Sequence, residues 1–371
     1  LQRLDPARLG SALLGASLWG LGASALPGDP ALAGLGALGG GGAIAALQLL
    51  VGWCLWRGWA RTGRRRGGLL AGAALVLAAH LAGAAALGAS SADSGRRERV
   101  TILQPAIPTR SKFEAREQRR LLAQLAASLR LAAGEARGID GLLLPEGALA
   151  PGQTLPDTAP VEVLSGGFRR SGEELRSAVL RFPPGGERPA GGIDKHRVVP
   201  LGEWVPGAEW LRWSGLSAVG GIAPGDASRL LERPAGPIGV AICYELSDGA
   251  ALAASSRAGA RWLLATANLD PYPAMLQAQF TALARLRAIE TGRWLVSAAN
   301  TGPSLLVDPR GRVRAALPAG TAATGTMTVP QRTGLTPYGR WGERPLLGLL
   351  LGSVGLRLAR GGSTRPPAAC S

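Results

Sequence analysis

The chain has 371 residues, a net charge of +16, 46% hydrophobic residues and a mean hydropathy of +0.14. That length admits two domains, and the chain is too apolar for an ordinary basic soluble protein. A basic balance suits nucleic acid or an anionic membrane surface. With no basic-aromatic RNA-binding pattern and no metal-finger spacing, the apolar composition favours the membrane over nucleic acid.

Three apolar runs open the chain, at 9–27, 31–56 and 69–90, the last interrupted only by His80. Each is long enough to cross a hydrocarbon core, which takes about 20 residues. Their small residues, Gly39 to Gly42 among them, suit close helix packing in lipid. Arg3 and Arg8 precede the first run, and Arg57, Arg61, Arg64, Arg65 and Arg66 crowd the loop between the second and third. Positive loops stay in the cytoplasm, so the third span exits and everything from about residue 91 lies on the outer face.

Residues 98–344 read as a globular α/β domain. Strands are expected at 100–104, 139–144, 175–182, 238–243 and 262–266, then at 294–299, 304–307 and 324–329. Amphipathic helices are expected at 112–133 and 273–291, where Leu121, Leu125 and Leu129, then Phe280, Leu283 and Ile289, fall near helical spacing. The alternation implies a sheet with helices packed on it. Residues 345–359 form a short apolar helix, and the Gly-, Ser-, Pro- and Arg-rich tail at 360–371 reads as disordered.

Of the 41 Lys and Arg residues only two are Lys, Lys112 and Lys195. A guanidinium cannot replace a compact ammonium beside a developing oxyanion, so a lysine kept in so Arg-rich a chain draws notice. Lys195 lies between a glutamate after one apolar run, Leu144-Pro145-Glu146, and a cysteine ending another, Ala241-Ile242-Cys243. A carboxylate can take the thiol proton and hand it to a leaving group. An ammonium can hold that carboxylate ionised and stabilise an oxyanion. Glu146, Lys195 and Cys243 supply those roles for a thiol nucleophile. A Cys-His arrangement would require His196, the one histidine outside the apolar runs. Cys54 falls in an apolar run, Cys370 adjoins the C-terminus, and no CxxC pairs them.

These residues and their order resemble the carbon–nitrogen hydrolase (nitrilase) superfamily and, with the apolar runs, its apolipoprotein N-acyltransferases. Lys195 followed by Val199-Pro200-Leu201-Gly202-Glu203-Trp204-Val205-Pro206 is similar to the family's K-x-x-L-V-P-F-G-E-Y-x-P segment. Cys243-Tyr244-Glu245 matches C-Y-E, the stretch from Arg285 to Arg293 matches R-x-R-A-x-E-x-G-R, and Asn300-Thr301-Gly302 matches N-x-G. Thr336-Pro337-Tyr338-Gly339-Arg340-Trp341-Gly342-Glu343 resembles T-P-Y-x-R-x-G-D.

The resemblance implies a four-layer α-β-β-α sandwich over about 98–344, behind a transmembrane region at 1–97. It makes Cys243 the nucleophile, Glu146 the general base and Lys195 the oxyanion-side lysine, with Glu203 a further glutamate and Tyr244 and Glu245 shaping the site. It implies a ping-pong acyl transfer with no metal or cofactor. A phospholipid would acylate Cys243, and the amine of a diacylglyceryl-modified apolipoprotein would receive the chain, at the outer face of a multi-pass bacterial inner membrane. The alternative is a membrane-tethered amidase or nitrilase with water as acceptor; a third reading is a non-catalytic membrane scaffold.

Two features depart from the family. Its members usually have more spans than three, and its S-N-D-x-W-F-G stretch appears here as Ala267-Asn268-Leu269-Asp270-Pro271-Tyr272-Pro273. Trp204, Trp210 and Trp213 after the lysine either line lipid entry or pack within the domain. Arg285, Arg287, Glu290 and Arg293 read as helix ion pairs.

Overall fold

The computed structural model describes residues 28–60, 65–89, 93–112, 114–134, 138–199, 203, 221–270 and 272–361. The expected first span, Trp204, Trp210, Trp213 and nearly all of the expected tail lie outside them.

A short helix α1 (Pro30–Ala33) leads into two long apolar helices, α2 (Gly36–Ala60) and α3 (Arg65–Gly88). Gly36–Trp59 and Gly67–Gly88 are long and apolar enough to cross a membrane by length and composition. Small residues let these helices touch. A Cβ on Gly83 would stand 2.0 Å from the Ala31 carbonyl oxygen, and one on Gly34 would stand 2.1 Å from that of Gly83. We expect Gly83→Leu to force α1 from α3, at a cost of about 1–3 kcal/mol, read as a lower melting temperature. His80 is paired with Asp29, Nε2 to Oδ2 at 2.6 Å, so the one polar interruption of the run has a partner.

Gly40 and Gly41, within the Gly39 to Gly42 stretch, meet the catalytic domain. Gly39 and Gly40 leave helical geometry, Gly40 with φ +69°, and break α2. The break docks on the catalytic domain: the Gly41 N–H donates to Glu290 Oε1 at 2.7 Å, and the Tyr338 ring fills the space where a Gly40 side chain would stand.

The rest is two six-stranded sheets. The first has the order β12-β1-β2-β3-β4-β5, formed by Ala323–Pro330, Arg97–Gln104, Gly141–Leu149, Glu162–Ser171, Glu174–Phe182 and Gly191–Asp194. The second has the order β11-β10-β9-β8-β7-β6, formed by Val313–Ala316, Leu305–Val307, Leu295–Ala299, Leu263–Ala267, Ile238–Ile242 and Leu230–Leu231. The central pairings β1–β2–β3 and β7–β8–β9 are parallel. Parallel strands are covered on both faces, which is why β7 and the start of β2, Leu142 to Leu144, read as apolar runs.

Alternation along the strands divides the core. Leu142, Leu144, Ala178 and Leu180 join Leu121, Leu125 and Leu129 of helix α4 (Ala115–Gly134). Leu143, Val179, Val100 and Ile102 join the second sheet and helices α5 (Gly249–Arg257) and α6 (Ala274–Thr291). β2 lies against β8 and β9. Helix, sheet, sheet and helix thus stack as the expected four layers.

Boundaries moved where the site begins. α4 starts at Ala115, after a short 3-10 turn at Thr109–Ser111, so Lys112 stands before the helix. β2 runs on through Glu146 to Leu149 with an irregular register against β3, and β7 stops at Ile242, leaving Cys243 to open a 3-10 turn. α7 (Pro337–Trp341) is followed by α8 (Arg344–Gly361), whose 18 residues exceed the expected 345–359. Arg287 and Glu290 form the expected ion pair at 3.0 Å. Arg285 and Arg293 instead donate to main-chain carbonyls, Arg285 to Gly311 and Arg293 to Ala260, Thr333 and Gly334.

Candidate active site

Glu146 sits where β2 bends. Gly147, at φ +63°, makes the bend, and Gly166 on β3 gives it room: a Cβ there would lie 2.2 Å from the Pro145 carbonyl oxygen. The bend turns the Glu146 carboxylate toward the C-terminal ends of β5, β7 and β8. One oxygen, Oε1, receives the Lys195 ammonium at 2.9 Å. The other, Oε2, accepts the Asn268 main-chain N–H at 3.0 Å.

Lys195 follows β5 and is fully buried. Its main-chain N–H donates to Ser177 O at 2.8 Å, which continues the β4–β5 ladder and sets the side chain's direction. Besides Glu146, its ammonium donates to Glu203 Oε1 at 2.6 Å. Glu203 is itself held, since Oε2 accepts the Val199 N–H at 2.8 Å. One ammonium therefore joins two carboxylates, and their charge raises the Lys195 pKa despite the opposing burial.

Cys243 stands at the mouth of β7 with φ +53°, a conformation rare for a residue with a side chain. Such a position costs about 1–3 kcal/mol and must be held by its surroundings. Glu245 holds this one. Its carboxylate accepts the Ile242 N–H at 2.9 Å, closing the turn around Cys243. It also accepts the N–H groups of His196 and Arg197 at 2.6 and 3.1 Å, and both its oxygens lie 2.9 Å from Arg229 Nη1. The turn carrying Cys243 and the loop carrying Lys195 are thus tied to one buried carboxylate. Tyr244 lies half-buried in the same turn.

Electrostatics follow from burial and this cluster. Burial pushes the Cys243 thiol up, as does Glu146, both as a charge and as a hydrogen-bond partner, while Lys195 opposes them. Burial also pushes Glu146 up, but Lys195, the Asn268 N–H and Lys112 outweigh it and hold the carboxyl below its usual range. The resting pair is a thiol beside a carboxylate, a state in which the carboxylate can take the proton as the sulfur attacks.

Two parts of this cluster have no role assigned from the sequence. Asn268 and Asn300 form a polar clasp below Glu146: Asn300 Nδ2 donates to Asn268 Oδ1 at 2.9 Å and to Ile107 O at 2.7 Å. Asn300 carries the N-x-G signal, while Asn268 meets Glu146 through its main-chain N–H and uses its side chain to join Asn300 and Thr109. Lys112 is also buried here, with Nζ donating to the Glu146 main-chain carbonyl at 2.8 Å. His196 faces elsewhere, its Nδ1 2.8 Å from Gly225 O. Among the described residues no group of three His, Cys, Asp or Glu side chains could hold a metal ion. A cavity of about 930 Å³ lined by Phe168, Arg169, Arg170 and Arg188 lies at the β3–β5 edge and includes none of Glu146, Lys195 or Cys243.

The carbon-nitrogen hydrolase family model matches residues 148–338. A protein of Prochlorococcus marinus strain MIT 9313 named apolipoprotein N-acyltransferase is 48% identical, over 95% of this chain and 74% of its own length. One of Parasynechococcus marenigrum with the same name is 45% identical, over 91% and 75%. The chain belongs to the apolipoprotein N-acyltransferase family of carbon-nitrogen hydrolases. Among solved structures, Saccharomyces cerevisiae Nit3, a member of branch 10 of the nitrilase superfamily, is 16% identical, covering 65% of this chain and 93% of its own, with a TM-score of 0.49. Lys195 and Cys243 fall within the family match, and Glu146 two residues before it.

Proposed function

We propose that this protein is a membrane acyltransferase that carries a fatty acyl chain from a phospholipid, through a thioester on Cys243, to the terminal amine of a diacylglyceryl-modified apolipoprotein. The observation that carries the reading is one buried carboxylate, Glu146, bonded to the Lys195 ammonium and facing the Cys243 thiol.

In the first half-reaction the sulfur attacks the ester carbonyl and Glu146 takes the thiol proton. Lys195 stabilises the tetrahedral oxyanion. Collapse breaks the C–O bond, and the lysophospholipid leaves with the proton from Glu146. In the second, the apolipoprotein amine attacks the thioester, Glu146 takes its proton, and the C–S bond breaks to restore the thiol. Glu203 fixes the far side of Lys195, while Tyr244 and Glu245 shape the turn. Helices α2 and α3 are the membrane anchor, with the catalytic domain at the outer face of a bacterial inner membrane. The reading draws on the relatives' shared name and on a cluster able to perform both half-reactions; two lipid-anchored substrates suit a site tethered to a bilayer.

Intact mass after incubation with mixed phospholipids tests it. We expect a hydroxylamine-labile acyl adduct, absent from Cys243→Ala and discharged by a diacylated lipopeptide. Discharge by water alone would make the protein a lipid hydrolase, and no adduct on well-folded protein would refute the proposal.

A further inference from the structure

The chain's other lysine lies behind the candidate base. Lys112 is 6% exposed, and its ammonium donates to the main-chain carbonyl of Glu146 at 2.8 Å. Its own carbonyl accepts from the Gln118 side chain at 2.6 Å, which fastens the segment to the first turn of α4. Among the described residues no carboxylate oxygen lies within 4 Å of Nζ. A buried ammonium without a paired anion is costly, and a chain that uses arginine almost throughout has kept lysine here.

The backbone around it is built for that head group. A Cβ on Gly147 would stand 2.9 Å from Lys112 Nζ and 3.2 Å from the Phe168 ring. The glycine that bends β2 therefore also leaves the space that the ammonium fills. Glu146 is gripped twice, by Lys195 at the carboxylate and by Lys112 at the carbonyl.

We propose that Lys112 is a positioning residue for Glu146: its ammonium pins the main chain at the Gly147 bend so that the carboxylate meets Lys195 and Cys243, and its charge keeps that carboxylate ionised. This rests on Glu146 being the base. The charged and titratable groups facing Lys112 are Glu146 from β2, Cys243 from the turn after β7 and Asp270 from the loop after β8, with Lys195 across the Glu146 carboxylate. Burial lowers Lys112 to about 8 against the pull of Glu146, Cys243 and Asp270. It is therefore a cation throughout the acid range in which Glu146 titrates.

The test is the rate at which iodoacetamide alkylates Cys243, resolved by peptide mass between about pH 4 and 8, in the full chain and its Glu146→Gln, Lys112→Met and Lys112→Gln variants. Glu146→Gln should slow alkylation, which checks the reading on which the proposal stands. Lys112→Met should slow it roughly tenfold at neutral pH and move its acid limb to higher pH by about half a unit or more. The direction follows because a carboxylate that has lost a nearby cation takes up its proton at higher pH. If Lys112→Met does not fold, Lys112→Gln, which carries no charge, should show the same displaced limb. A residue that only fills space would change the yield of folded protein and leave that limb in place. Folded Lys112 variants with the wild-type rate and limb, beside a slowed Glu146→Gln, would overturn the proposal alone. An unaffected Glu146→Gln would remove the base reading and the proposal with it.

Discussion

Lys195→Met is expected to lower formation of the Cys243 acyl adduct by roughly 10³-fold or more and to destabilise the catalytic domain by about 3–5 kcal/mol. Both effects arise from one ammonium. Lys195 is fully buried and donates to Glu146 at 2.9 Å and Glu203 at 2.6 Å. Without it, two carboxylates face each other with no cation between them, and burial of Glu146 is no longer offset. The Glu146 carboxyl then takes up its proton at higher pH and is a poorer acceptor for the Cys243 proton. Arginine is not a substitute, because its planar fork is larger than the space an ammonium fills between the two acids.

The pH dependence has a definite sign. Glu146 is held below its ordinary 4.5, so its contribution to stability is present above that value and fades as the pH falls through the depressed one. Lys195 is raised above its ordinary 10.5, so its contribution is full below that value and fades as the pH rises through the elevated one. Wild type should therefore have a plateau of stability from these groups between about pH 4.5 and 10.5. In Lys195→Met the mutual repulsion of the acids is relieved by protonation, so the variant should gain more in melting temperature than wild type as the pH is lowered toward 5. Thermal melts at two pH values, beside adduct formation by intact mass, check both parts.

How much of this was legible follows from how each residue acts. The first half of β2 and the whole of β7 are apolar because each is covered on both faces, and Glu146 within β2 and Cys243 just after β7 stood out as polar groups against them. Lys195 stood out by rarity. β3 carries Ser165-Gly166-Gly167 at its centre, and glycine weakens a strand signal; the reason for Gly166, the bend at Pro145 and Glu146, belongs to another strand. Lys112 is as rare as Lys195, but it precedes a run of charged helical residues and reads as part of that solvated face. Its contact is a main-chain carbonyl 34 positions away, which no side-chain pattern announces. Gly39 to Gly42 suggest helix packing by composition, but the contacts of Gly40 and Gly41 with Tyr338 and Glu290, far off in the chain, are not announced by it.

Glu245 shows the same limit most strongly, and its replacement should damage the fold about as much as loss of Lys195. Cys243-Tyr244-Glu245 resembles a family motif, but the five N–H contacts that the carboxylate makes come from the backbone of Ile242, His196 and Arg197 and from Arg229. Glu245→Ala leaves Arg229, 3% exposed, without its counter-ion, and breaking such a buried pair costs about 3–5 kcal/mol. For a domain of this size that is a fall in melting temperature of roughly 6–20 °C. Glu245→Gln isolates the geometric part. An amide has one acceptor oxygen where the carboxylate has two, so it cannot serve both the Ile242 N–H and the Lys195 loop. The variant should keep more stability than Glu245→Ala and still lose most acylation of Cys243, because the φ of +53° at the nucleophile is sustained by the bond to Ile242. Equal adduct formation in Glu245→Gln and wild type would mean that the turn holds its strain without that carboxylate.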